Sequence, residues 1–148
     1  MKNTIIFDNK IDFKQGEILT FFVNDNLDFK VGNKIFSVQS LNKIQVYLKN
    51  IKSREKIDKI ISFDISEKNK VLFIVLKEKL ISNNFETLGA NLYSFIKTNK
   101  INKVNLYADS LKSFKSYNNN IEFILNFIHG FNFKSYSFDK YKTQSKND

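Results

Sequence analysis

The chain has 148 residues, enough for one domain with a core of its own. It contains no cysteine, which excludes a disulfide framework, a thiolate nucleophile and a thiolate metal site. Lys and Arg number 24 against 15 acids, a formal +9. That excess permits attraction to nucleic acid, although lysines spread along the whole chain also fit an ordinary solvated surface.

The opening MKNTIIFDNK has neither the apolar core nor the small-residue cleavage site of a signal peptide. Thr4 to Phe7 is expected to form a short first strand, and Glu17 to Val23 a second one after a polar turn at Gly16. Asn24, Asp25 and Asn26 then break the pattern as turn formers do, and Gly32-Asn33 marks another turn. From Ser40, an expected N-cap, the spacing is helical: Leu41, Ile44, Leu48 and Ile51 form one stripe. Ile61, Phe63 and Ile65 alternate within Asp58 to Ile65, as in a strand exposed on one face. A polar turn over Glu67 to Asn69 leads into KVLFIVLK. There Val71 to Leu76 is a continuous apolar run, the pattern of a strand buried on both faces.

Ser82 to Asn84 offer capping side chains to the next helix, and Glu86 is expected in its first turn, where the helix dipole favours an acid. Phe85, Leu88, Leu92 and Phe95/Ile96 fall on one face of it. Gly89 and Ala90 are expected to let this helix approach a sheet closely. Lys103 to Asp109 (KVNLYAD) completes a strand–helix–strand unit with a right-handed crossover. After a polar loop over Ser110 to Asn120, a last helix is expected with Ile121, Ile124, Leu125 and Ile128 buried and Gly130 as its C′ residue. Tyr136 and Phe138 alternate with serines, which predicts a final strand before a polar tail, 144–148. The sum is a single α/β domain over 1–143: a three-layer α/β/α fold with a mixed, mostly parallel sheet of about six strands and three helices.

The chemistry is sparse. His129 is the only histidine, placed near the end of an apolar helix, where a lone histidine is more often a helix-end residue than a ligand. The acids show no paired spacing for general acid/base work. Asp64 and Asp109 stand near strand ends, where α/β enzymes place functional residues, but solvated strand termini carry the same residues. Gly16, Gly32, Gly89 and Gly130 form no phosphate-binding pattern, which also weighs against an ADP-ribose pocket. No G-x-S-x-G elbow exists. With 16 Phe and 6 Tyr an aromatic face could stack single-stranded bases, yet phenylalanine is the expected core filler. By elimination this polypeptide alone is a poor candidate for an enzyme, and no cofactor is expected in it. No apolar run approaches the roughly 20 residues that cross a bilayer, so no membrane partner is expected, and the default location is cytoplasmic.

Ile121 to Thr143, IEFILNFIHGFNFKSYSFDKYKT, resembles the end of the N-terminal domain of the leucine aminopeptidase (cytosol aminopeptidase) family. In that family a helix runs into an aromatic-x-Phe-Asp-x-Tyr-Lys-Thr segment, here Tyr136 to Thr143. The resemblance covers most of the chain in element order and only this segment in detail. His129-Gly130-Phe131 stands where small or aliphatic residues are more usual, which puts finer interface roles in doubt. The resemblance implies a macro-domain-like fold and the non-catalytic half of a metal-dependent exopeptidase. The two divalent metal ions (manganese or zinc) and the catalytic residues of such a parent would lie in a separate C-terminal domain. Expected partners are that catalytic domain in cis and further copies in a hexamer. Some bacterial members also bind DNA. Tyr136, Phe138 and Tyr141 are the candidates for the domain junction. Independently of the resemblance, two basic clusters are candidates for nucleic-acid contact: Lys52, Arg54, Lys56 and Lys59, and Lys134, Lys140 and Lys142.

Overall fold

The computed structural model describes residues 18–29, 35–67, 69–77, 82–107, 110–111 and 120–147; the side chains described in the last two helices are those of 85–98 and 121–136. The chain is α/β. Its elements are β1 (Ile18–Asn24), α1 (Val38–Lys52), β2 (Ile60–Asp64), β3 (Lys70–Leu76), α2 (Ser82–Thr98), β4 (Asn105–Tyr107) and α3 (Asn120–Asn147). They divide into two compact units: β1, α1, β2, β3 and β4 in one, α2 and α3 in the other.

The sheet has the order β2-β3-β1-β4. β1 pairs in parallel with β3, Phe21 opposite Phe73, and in parallel with β4, Phe21 opposite Tyr107. β2 pairs antiparallel with β3, Phe63 opposite Val71. The strand–helix–strand segment therefore does not place its two strands side by side, because β1 lies between β3 and β4. β3 is the most deeply buried strand: Val71, Leu72, Phe73, Ile74 and Leu76 are inaccessible to solvent, as its unbroken apolar run predicts. A tight turn at Asn24 follows β1, with Leu27 N–H donating to Asn24 O (3.0 Å) and Asp28 N–H to Asn24 Oδ1 (3.0 Å).

One core of this unit gathers Leu19, Phe21 and Val23 of β1, Val71 and Phe73 of β3, Ile61 of β2, and Ile44, Leu48 and Ile51 of α1. Phe29 lies edge-on to both Phe21 (5.1 Å) and Phe73 (5.0 Å). Aromatics thus fill the core, and Phe21, Phe29 and Phe73 are withdrawn from any base-stacking role. α1 begins three residues earlier than expected: Ser37, not Ser40, is the N-cap, its Oγ accepting from Ser40 N–H (3.2 Å). Tyr47 on α1 donates its hydroxyl to Ser62 O (2.9 Å), tying the helix to β2.

In the second unit α2 buries Phe85, Leu88, Leu92, Tyr93 and Ile96, close to its predicted face. Its glycine has a different job from the one expected. A Cβ added to Gly89 would collide with the carbonyl oxygen of Phe127 on α3 and stand 2.9 Å from Phe131 N. A Cβ on Gly130 would collide with the carbonyl oxygen of Glu86 and stand 2.6 Å from its Cα. The two glycines therefore form a backbone-to-backbone crossing of α2 and α3. Phe85 packs on Phe123 (3.9 Å between ring centroids) and Tyr93 edge-on to Phe131 (5.3 Å) beside it.

Several expectations are corrected here. Gly130 is interior to α3 and does not end it, because the crossing needs a residue without a side chain there. The final strand is replaced by helix through Asn147: alternation over a few residues is a weak signal, and no proline interrupts the segment. The described sheet has four strands against about six expected: the last of those is helix, and Thr4–Phe7 lies outside the described residues. The buried face of α3 is Phe123 and Phe127 with Gly130, while Ile121 and Leu125 are exposed. Because α2 starts at Ser82, Glu86 falls in its second turn. The expected strand at Thr4–Phe7, the turns at Gly16 and Gly32-Asn33, and Asp109 lie outside the described residues.

Candidate functional site

Each candidate residue takes its position from the element that carries it. Lys52 closes α1, and Arg54, Lys56 and Lys59 follow on the connection to β2; all four are exposed. This stretch forms because α1 stops at Ser53, whose hydroxyl donates to Asn50 O (2.6 Å) while Arg54 N–H donates to Ile51 O (3.0 Å). The first basic cluster is thus exposed along one short stretch of chain. Glu55 and Asp58 interrupt it, and Lys49 and Lys52 also complement the negative end of the α1 dipole. The members of the second cluster, Lys134, Lys140 and Lys142, all lie on α3, and Lys134 is exposed.

Tyr136 is 67% exposed on α3. Phe138 and Tyr141 follow on the same helix, their side chains outside the described set. Positions 136 and 138 share a face in a strand but not in a helix, so the three junction candidates are not presented together as a strand would present them. Asp64 ends β2 and pairs with Lys70 at 3.8 Å, its side chain 71% exposed, in the cross-strand register that joins the two residues. Its surroundings are those of a solvated hairpin end. His129 is exposed in the interior of α3, not near its end, with its ring 6.5 Å from that of Phe133.

Among the described residues, no three His, Asp or Glu side chains gather in a way that could hold a metal ion. None of the described helices is long and apolar enough to cross a membrane. At the carboxyl end of the parallel strands, Ser110 Oγ accepts from Phe22 N–H (2.9 Å) and donates to Tyr107 O (2.6 Å), which ties β1 to the segment after β4. Thr20, between Leu72 and Leu106 in the sheet, is fully buried, and its hydroxyl has no hydrogen-bond partner among the described residues.

The residues that sequence reasoning missed are on the outward face of α3. Ile121, Leu125, Phe133 and Tyr136 are 58% to 73% exposed, and they account for most of the large apolar side chains left exposed among the described residues. The first half of α3 is apolar on nearly every side, so periodicity offers two competing stripes. The signal that separates them is Gly130, which falls on the Phe123/Phe127 side and marks the face in close contact. Comparison with the models of known families, with curated proteins and with solved structures finds no match to this chain.

Proposed function

We propose that this chain is the non-catalytic N-terminal domain of a cytoplasmic, metal-dependent leucyl aminopeptidase, serving the assembly and regulation of that peptidase. The observation that supports this most is α3. It runs unbroken from Asn120 into Tyr136-Ser-Phe-Asp-Lys-Tyr-Lys-Thr143, and the resemblance asks for a helix leading into that segment. The order β3-α2-β4 before it is compatible and less specific. On this reading the fold over 1–143 is macro-domain-like and 144–148 leads toward a catalytic domain that carries both divalent ions. Tyr136, Phe138 and Tyr141 stay the junction candidates, as the part of α3 that would lead to that domain.

Two measurements test the proposal. The purified chain, supplied with manganese or zinc, should release no amino acid from leucine amides, and robust turnover overturns the reading. The natural reading frame should continue past codon 148 into a larger domain with a carboxylate- and lysine-bearing metal site. A stop at that point overturns it as well.

A second reading, a basic nucleic-acid-binding module, is favoured by one observation: Lys52, Arg54, Lys56 and Lys59 are all exposed on one short stretch. Binding through phosphates would fall steeply with salt, with a log–log slope of about −0.9 per phosphate contacted on duplex DNA. Reversing all four charges to Glu should abolish any such binding. Undetectable or salt-insensitive binding to duplex DNA at low salt removes the reading.

A further inference from the structure

We infer that Tyr47 guards an open edge of the sheet: its hydroxyl, seated on the outward carbonyl of Ser62, keeps β2 from adding the same strand of a second copy. The inference stands apart from the aminopeptidase reading. Among the described residues the sheet ends at β2 on one side and at β4 on the other. β4 is only three residues long and offers little to pair with. β2 is a different kind of edge. Ile60-Ile61-Ser62-Phe63 is rich in β-branched and aromatic residues and carries no proline, a composition that pairs readily when exposed.

The register shows which backbone groups this edge presents. Val75 N–H donates to Lys59 O (2.9 Å) and Ile65 N–H to Asn69 O (2.9 Å), so a bonded pair flanks β2 at each end. Bonded and non-bonded pairs alternate along an antiparallel ladder. Ile61 opposite Phe73 and Phe63 opposite Val71 are therefore the bonded pairs within it, while Ile60, Ser62 and Asp64 turn their N–H and C=O groups away from β3. Ser62 is the central one. A second β2 laid antiparallel about it would satisfy them all, Ser62 with Ser62 and Ile60 with Asp64 of the other copy. The edge is thus self-complementary, which is the hazard that an exposed strand poses.

Tyr47 blocks the centre of that pairing. Its hydroxyl donates to Ser62 O at 2.9 Å, the acceptor that the incoming Ser62 N–H would need. Its ring lies 4.6 Å from that of Phe63, and both pack against the core of the sheet unit, which holds the phenol at the strand. A second strand, ~4.8 Å away when paired, has to displace this hydroxyl on both copies before the central bonds form. The exposed Asp64 works in the same sense, since pairing would set its carboxylate beside Ile60 of the other copy.

The test removes the guard. Tyr47→Leu keeps an apolar side chain beside Phe63 and loses the hydroxyl. In sedimentation equilibrium it should associate at a concentration at least about tenfold below that of the unmodified chain, the change made by sparing one hydrogen bond on each copy. Tyr47→Phe, which keeps the ring as well, should shift the same way by less. Adding Ser62→Pro to Tyr47→Leu removes the central outward N–H without touching the ladder to β3, and should restore the monomer. Hydrogen exchange locates the contact: amides of Ile60, Ser62 and Asp64 should exchange fast in the unmodified chain, with Ile61 and Phe63 protected, and should become protected in associated Tyr47→Leu. Variants that lose stability but associate no more readily than the unmodified chain make Tyr47 a packing residue and overturn the proposal. Association that survives Ser62→Pro, or amides at 60, 62 and 64 already protected in the unmodified chain, overturns it as well.

Discussion

In the sheet unit the interior is filled by rings: Phe21, Phe29 and Phe73 stand within 6.2 Å of one another, and each is almost wholly buried. In the helix unit the closest approach is made where there is no side chain at all, with Gly89 against the backbone of Phe127 and Gly130 against that of Glu86. The first arrangement draws on buried apolar area and on edge-to-face ring geometry. The second draws on the dispersion contact of two backbones brought close, so a helix-weakening residue is retained because nothing larger fits. The two regions should therefore respond to substitution in opposite senses: the sheet unit to lost volume, the helix unit to added volume.

The largest expected effect is on the ring cluster. Phe73→Ala leaves a cavity between Phe21 and Phe29 that a parallel strand pair cannot close, and should lower unfolding free energy by about 4 kcal/mol in urea titrations followed by circular dichroism. Next is the glycine crossing. Gly89→Ala in an isolated helix would gain about 1 kcal/mol. Here the added methyl should cost about 3 kcal/mol net, as overpacking against a backbone with no rotamer to yield. A stabilised Gly89→Ala variant would mean that the helices do not meet at that residue.

Much of this was legible in the sequence where one signal dominated. The apolar run of β3 is short and rich in β-branched and aromatic residues, which favours a strand over a buried helix, and the stripe Ile44, Leu48, Ile51 on α1 competes with no second stripe. Legibility failed where two patterns overlapped. Both faces of early α3 are apolar, so the choice between Ile121/Leu125 and Phe123/Phe127 depends on which face meets α2. That is a tertiary fact, carried in the sequence only by glycines 41 positions apart, 89 and 130. The segment after Gly130 misled for a related reason. Glycine stops a helix when its backbone is needed in a left-handed form, and continues one when its missing side chain is needed for contact. As for the candidate site, the basic stretch after α1 could be read directly, whereas the outward face of α3 came into view only once the buried face was known.

A smaller effect of the other sign is expected inside the sheet. Thr20→Val keeps the branched shape between Leu72 and Leu106 and removes a buried hydroxyl without a hydrogen-bond partner among the described residues. Stability should rise by about 1 kcal/mol, read as a higher midpoint in thermal denaturation. A loss instead would reveal a hydrogen bond that Thr20 makes to a group beyond those residues.

The smallest effect concerns two residues that share a left-handed backbone, one in each unit: Leu27 at φ 57° and Lys100 at φ 55°. Lys100 is the C′ residue of α2. Its N–H donates to Lys97 O (3.2 Å), and Ile101 N–H donates to Ile96 O (2.9 Å), the hydrogen-bond pair of a Schellman cap. Glycine is the usual residue there because a Cβ in that conformation costs about 1 kcal/mol. Lys100 is exposed and no packed side chain would be lost, so Lys100→Gly should stabilise the chain. The gain should be only about 0.5 kcal/mol, because glycine also gives the unfolded chain more freedom to lose. The same relief is not open at Leu27, which is 6% exposed and belongs to the sheet core, so its strain is held by burial that glycine would forfeit. A Lys100→Gly variant that loses stability would show that the lysine stem contributes packing at the end of α2 that outweighs its backbone strain.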